Sequence, residues 1–190
     1  LNYEAIIQSR TRESSSGCPK CSNQSSEPEM RILSELKWFF QEVNSRYKIE
    51  GKEVDIFLPK LNIATEFDGS YWHRNKKDKD LEKNKVLLNQ NIFLIRLRQH
   101  PLKPLSENDI MVHNQLEKNH IDEILKIIHP VVDEKIQNKI VKYYDKSSFI
   151  NEALFKKYKS YFPSPFPEHS LLKNYPLLSS EWDYSKNHPL

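Results

Sequence analysis

Apolar residues recur at helical spacing after Ser26 and Glu29: Ile32, Leu33, Leu36, Phe39, Phe40 and Val43. A hydroxyl followed three residues later by Glu is a capping-box signature, so the pattern predicts an amphipathic helix over about 27–43. Val54-Asp55-Ile56-Phe57-Leu58 is rich in β-branched and aromatic residues and stops at Pro59; Leu61 to Phe67 follows after a tight connection. The two read as an antiparallel hairpin. Leu81, Val86, Leu87 and Leu88 predict a helix over about 78–90, and Asn91 supplies its stop. Ile92-Phe93-Leu94-Ile95-Arg96-Leu97 then reads as a buried strand. Residues 107–128 carry apolar positions at helical spacing (Ile121, Ile124, Leu125, Ile127, Ile128) up to Pro130, and further helical pieces are expected over about 133–145 and 148–160. Helix, hairpin, helix, strand, helix is an α/β pattern built on one mixed sheet flanked by helices.

The punctuation divides the chain into 1–25, 26–130, 131–162 and 163–190. Residues 26–130 form the expected core domain and 131–162 a helical extension with no assigned role. Three Pro within Phe162–Pro167 predict an extended linker to a separate final unit. The first stretch holds a basic Arg10-Thr11-Arg12 and a Ser-rich tail, too little for a core of its own. The chain starts at Leu1 without Met and reads as a piece excised from something longer.

Composition narrows the function classes. The 190 residues carry 29 Lys+Arg against 26 Asp+Glu, a net +3, with 37% hydrophobic and 11% aromatic content, enough apolar bulk for one core. Three glycines disfavour a Gly-rich phosphate-cradling loop. No apolar run approaches the ~20 residues that span a bilayer, and the start lacks the basic-then-apolar pattern of a signal peptide. The expected setting is soluble, intracellular and cytoplasmic, with no membrane partner. The modest overall charge hides a local excess: residues 74–103 hold nine Lys/Arg against three acids, a balance of +6.

Candidate chemistry lies in and just before that basic stretch. Asp55 falls on the first hairpin strand, Glu66 and Asp68 alternate at the end of the second, and His73 follows in Gly69-Ser70-Tyr71-Trp72-His73. Asp80 opens the basic helix, and Glu29 sits in the first turn of the first helix. Carboxylates on paired strands converge on one hard cation, typically Mg²⁺ held by one or two carboxylates plus water and phosphate oxygens. An adjacent imidazole activates water or protonates a leaving oxygen. Acids inside a positive surface suit a polyanion, which favours phosphodiester hydrolysis. Taken singly, the residues read more blandly: Glu29 as a capping residue, Glu66 or Asp68 as the partner of a Lys, His73 as a surface histidine, Asp80 as a solvated acid, Tyr71 and Trp72 as core. A carboxyl on the otherwise apolar strand at Asp55 is the hardest to explain structurally. Elsewhere, Cys18-Pro19-Lys20-Cys21 supplies two thiolates from one turn, half of a tetrahedral zinc site whose partner ligands are expected upstream of residue 1.

The order Asp55-Ile56-Phe57, Thr65-Glu66-Phe67-Asp68-Gly69-Ser70-Tyr71-Trp72-His73, Asp80 and the Ile92–Arg98 strand resembles the very-short-patch-repair type of endonuclease. More closely, it is similar to the EDxHD homing-endonuclease group of the PD-(D/E)XK superfamily, over roughly residues 26–105. The resemblance implies a metal-dependent DNA endonuclease with a restriction-endonuclease-like fold. It puts the pattern's acids at Glu29, Asp55 and Asp80, its variable position at Asp68 and its histidine at His73. Metal, Mg²⁺ or Mn²⁺, falls to Asp55 and a backbone carbonyl near Phe67, with Glu66 as a further ligand in the manner of the general motif. At Asp68 the chain departs from both patterns, since patch-repair enzymes carry His there and the general motif Lys. Lys76, Lys77, Lys79, Arg96 and Arg98 are expected to neutralise the phosphates of duplex DNA.

The ends resemble halves of treble-clef zinc-ribbon repeats. Arg10 through Cys21 looks like the closing half of one, and Ser170-Leu171-Leu172, Tyr175-Pro176-Leu177, Glu181-Trp182-Asp183 and Asn187 like the opening half of another. Zinc binding then depends on the missing half-site, and partner zinc-ribbon modules are expected. The rival readings are a non-catalytic DNA-binding module and an RNA-processing or RNA-binding protein.

Overall fold

The computed structural model describes residues 25–161. The Cys18/Cys21 half-site, the Pro-rich linker and both zinc-ribbon resemblances lie outside the described residues. In chain order come α1 (Glu27–Phe39), β1 (Asn44–Ile49), β2 (Lys52–Leu58), β3 (Ile63–Asp68), α2 (Ser70–His73), α3 (Lys77–Asn89), β4 (Phe93–Gln99), β5 (Ile110–Val112), α4 (Lys118–Ile128), α5 (Glu134–Tyr144) and α6 (Glu152–Tyr161). The five strands lie in the order β1-β2-β3-β4-β5. The first three pair antiparallel, while β4 and β5 add in parallel.

Local chemistry explains the junctions. Ser26 caps α1, its Oγ accepting the Glu29 N–H at 3.4 Å and donating to Glu29 Oε1 at 2.7 Å. The β1–β2 hairpin turns on Glu50 (φ 47°) and Gly51 (φ 75°), the two consecutive left-handed residues that match strand twist. Between β2 and β3, a 3₁₀ turn over Pro59–Leu61 ends on Asn62 at φ 52°, so β3 starts at Ile63 rather than Leu61. Asn91 at φ 54° closes the exit of α3, as its sequence position suggests.

Two expectations are corrected. Asn44–Ile49 was not anticipated as a strand: five of its six residues are polar or aromatic and it lies on the sheet edge, so it carries no buried alternation. Within 107–128, helix occupies 118–128 and Ile110–Val112 forms β5 instead. Ile110 and Val112, buried beside β4, win over a helical period that starts only at Ile121.

The sheet is covered on both faces. One side packs Ile56, Leu58, Ile63, Phe67, Ile95 and Leu97 against Ile32 and Leu36 of α1, Ile121, Ile124, Leu125 and Ile128 of α4, and Ile140 and Tyr143 of α5. The smaller cluster joins Val54, Phe57 and Ala64 to Leu87 of α3 and Ile92. Thus the helices after residue 131 share the main core. Their anchor is Glu35, wholly buried on α1, whose carboxyl accepts from Tyr143 OH (2.9 Å), Asn151 N (3.0 Å) and Ile150 N (3.2 Å). Burial, and then the charge of Glu35, push the Tyr143 hydroxyl up, keeping it a donor. Arg31 completes the clamp, lying 3.4 Å over the Phe155 ring and pairing with Glu152 at 2.7 Å.

Replacing Glu35 with Ala strands three donors in the interior, so it should cost about 3 kcal/mol. Urea denaturation should show this loss, with α6 exchanging amide hydrogens first.

Candidate functional site

The site grows from β3. Alternation along the strand puts Glu66 and Asp68 on one face, and the parallel register sets them beside Arg96 and Arg98 of β4. Four charges inside a sheet must neutralise one another. Arg96 Nη1 contacts both Asp68 oxygens at 2.8 Å and Glu66 Oε2 at 2.7 Å. Arg98 Nη1 reaches Asp68 Oδ2 at 2.5 Å, and its Nε donates to the Lys103 carbonyl at 2.9 Å. From α3, Asn84 Oδ1 accepts from Arg96 Nε at 2.9 Å, and Lys83 ion-pairs with Glu66.

Asp80, one turn before Lys83 and Asn84 on the same helix, completes a second group. His73 Nδ1 lies 3.0 and 3.2 Å from the two Asp80 oxygens and 3.4 Å from Asp68 Oδ1. A carboxyl pair at Nδ1 favours the proton there, which leaves Nε2 as the acceptor on a side chain that is 22% exposed. The short helix α2 is held in place by Gln99, whose Oε1 accepts from Ser70 N (3.1 Å) and Ser70 Oγ (3.2 Å).

Asp55 belongs to an adjoining group. The β2–β3 ladder runs from Leu58↔Ile63 to Ile56↔Thr65, and one residue on, Asp55 Oδ2 takes the Phe67 N–H at 2.8 Å. Its electrostatic neighbours are Glu29, Glu66 and, opposing them, Lys83. Burial raises the pKa of all three carboxyls. Asp55 goes well above its ordinary value because the charges of Glu29 and Glu66 add to burial. At Glu66 burial outweighs the opposing pull of Arg96 and Lys83.

The sequence-derived residues therefore fall into two groups bridged by Arg96: Asp68, His73 and Asp80 together, and Glu29, Asp55 and Glu66 together. Donor atoms of Asp68, His73 and Asp80 lie within 4.8 Å of one another, a spacing a metal ion can use. Both guanidinium groups already occupy Asp68, however, so a cation there meets two fixed positive charges. Glu29 and Asp55 are half-buried, and each charge raises the cost of the other.

Three expectations change here. Arg96 and Arg98 are buried and committed to Asp68, so they are internal counter-ions and not phosphate contacts. Glu66 is buried and paired with Lys83 and Arg96, which fills the place a metal would take. Trp72 is 69% exposed and Tyr71 54%, so neither is core; their rings pack edge to face at 5.0 Å. Lys76, Lys77 and Lys79 are exposed, as expected. Lys83 and Asn84 were missed, although their spacing of three and four from Asp80 puts all three on one helical face. Among the described residues no helix is long and apolar enough to cross a membrane.

No family model matches the chain, and comparison with curated proteins and with solved structures returns no match.

The two groups have opposite stability signatures. A carboxyl whose folded pKa exceeds its unfolded one binds its proton more tightly in the native state, so native stability falls as pH rises between the two values. Asp55→Asn should therefore stabilise the ion-free protein at pH 7 by about 1 kcal/mol or more, a gain that closes as pH falls into the ordinary carboxylate range. Asp68→Asn removes the carboxylate that two buried guanidinium groups share and should cost about 3 kcal/mol. Thermal melts of both variants across pH check the signs.

Proposed function

We propose that the protein is a metal-dependent DNA endonuclease of the PD-(D/E)XK type that hydrolyses phosphodiester bonds. The observation that carries this reading is an imidazole fixed by two carboxyls, set beside three carboxyls of raised pKa, under a rim of exposed lysines. Asp55 and Glu29, with the Phe67 carbonyl, would hold Mg²⁺ or Mn²⁺, which supplies charge neutralisation at the scissile phosphate. Oxygen donors and mutual repulsion fit such an ion, because binding it relieves the cost that burial imposes on Asp55. His73, with Nδ1 tied to Asp80 and Asp68, presents Nε2 to accept a proton from the attacking water or, once protonated, to return it to the leaving oxygen. Asp80 and Asp68 orient that ring. Lys83, drawn in by Glu66, adds positive charge beside the developing oxyanion. Lys76, Lys77 and Lys79 neutralise backbone phosphates, and exposed Trp72 offers a face on which a base can stack.

A plasmid-nicking assay with and without EDTA tests the reading. Cleavage should require the divalent ion, fall at least ~10³-fold in Asp55→Ala, and fall about 10²–10⁴-fold in His73→Ala while the latter still binds duplex. Retained Mg²⁺-dependent cutting by Asp55→Ala removes Asp55 from the mechanism. Salt-sensitive binding to duplex DNA without nicking in Mg²⁺ or Mn²⁺ leaves a DNA-binding module, and preference for RNA in competition moves the substrate class.

A further inference from the structure

With Arg96 and Arg98 buried, a different arginine lies near Glu29. The β1–β2 register pairs Ser45 with Ile56 and Tyr47 with Val54, which places Arg46 opposite Asp55 on the sheet. Arg46 Nε pairs with Glu53 Oε1 at 2.9 Å. Both members of that pair are more than a third exposed, so water screens the contact and holds the guanidinium loosely. At Glu29, burial raises the carboxyl and the Ser26 hydrogen bonds lower it, and the charge of Arg46 lowers it further. The guanidinium thus acts on the Glu29 member of the Glu29/Asp55 pair.

The backbone at this position is also unusual. Arg46 has φ 51°, the left-handed region that a side chain with a Cβ resists. Of the other four described residues with positive φ, Gly51, Asn62 and Asn91 are the types that tolerate it, and Glu50 lies in the two-residue turn. A long cation in that conformation is poorly explained by the strand, which is held on either side by ladder pairs and by the Tyr47 ring stacked 5.0 Å from Phe57. Sparse conformations of this kind concentrate where a side chain must be aimed at a ligand.

We propose that Arg46 is a substrate-binding residue, its guanidinium gripping a non-bridging oxygen of the phosphodiester held at Glu29 and Asp55. This rests on the nuclease reading. The planar fork suits phosphate bidentately, and the exposed Glu53 contact is released when phosphate arrives. Arg46 then does what Arg96 and Arg98 were expected to do, from the opposite side of the acidic group.

The test uses the full 190-residue chain with a fluorescein-labelled duplex, comparing wild type, Arg46→Gly and Arg46→Lys. Binding is measured in Ca²⁺ across a salt series, cleavage in Mg²⁺ at saturating DNA, and stability by thermal melting. Arg46→Gly relieves the left-handed strain, so it should melt no lower than wild type. Its log-affinity against log-salt slope should nevertheless shrink by about 0.9, one phosphate contact, and its cleavage rate should fall about 10²-fold. Arg46→Lys should keep the salt slope but recover cleavage only partly, because a point charge replaces the fork. A wild-type slope and a rate within about twofold of wild type in Arg46→Gly overturn the role of Arg46 while leaving the nuclease intact. Slope loss in a protein that never cuts supports Arg46 as a phosphate contact and overturns the nuclease reading. Failure of wild type to bind the duplex overturns both.

Discussion

The structure depends on charge neutralisation inside the sheet. β3 and β4 carry two acids and two arginines side by side on one face, in a register that sets Glu66 beside Arg96 and Asp68 beside Arg98. None of the four tolerates burial alone, and removing one partner leaves a charge whose desolvation nothing offsets. Together they bind β3, β4 and α3 into one unit and fix where Asp80 can stand. Asp80 fixes His73. The His73 ring is thus oriented by a chain of contacts that starts with the packing of two strands.

The same arrangement separates two kinds of acid. Asp68 is saturated by arginine and serves architecture as well as ring orientation. At Asp55 and Glu29 the pull of Lys83 and Arg46 is weaker than burial, and at Asp55 the charge of Glu29 adds to that standing cost. Folding tolerates that cost because the large core on the α1 side of the sheet offsets it.

Much of this was legible in the sequence, because period-two and period-3.6 patterns report burial. The first helix with its Ser26 cap, both strands around Asp55 and Asp68, the basic helix and the strand through Arg96 all stand where the apolar spacing puts them. Edge strand β1 was invisible: Asn44-Ser45-Arg46-Tyr47-Lys48 buries almost nothing, and its pairing is decided by a turn and by the neighbour it borders. The fate of Arg96 and Arg98 was equally hidden. A basic residue on a buried strand reads as positive charge from sequence, and only the parallel register reveals an acid beside each one. Among the site residues, motif order gathers Asp55, His73 and Asp80 in one pocket, whereas the structure clusters His73 and Asp80 with Asp68 and sets Asp55 beside Glu29 and Glu66. Order along the chain carries no cross-strand geometry, so that division was not legible.

One feature of α1 reaches further than the site itself. The helix carries Glu29 in its first turn, while Arg31 pairs with Glu152 of α6 and Glu35 takes the N–H groups of Ile150 and Asn151 just before it. Glu29 is therefore mounted on a rod whose far fastening is the last described helix of the chain. Whatever displaces α6 therefore pulls on the element that carries Glu29, so the last described helix and the acid end of the sheet share one mounting.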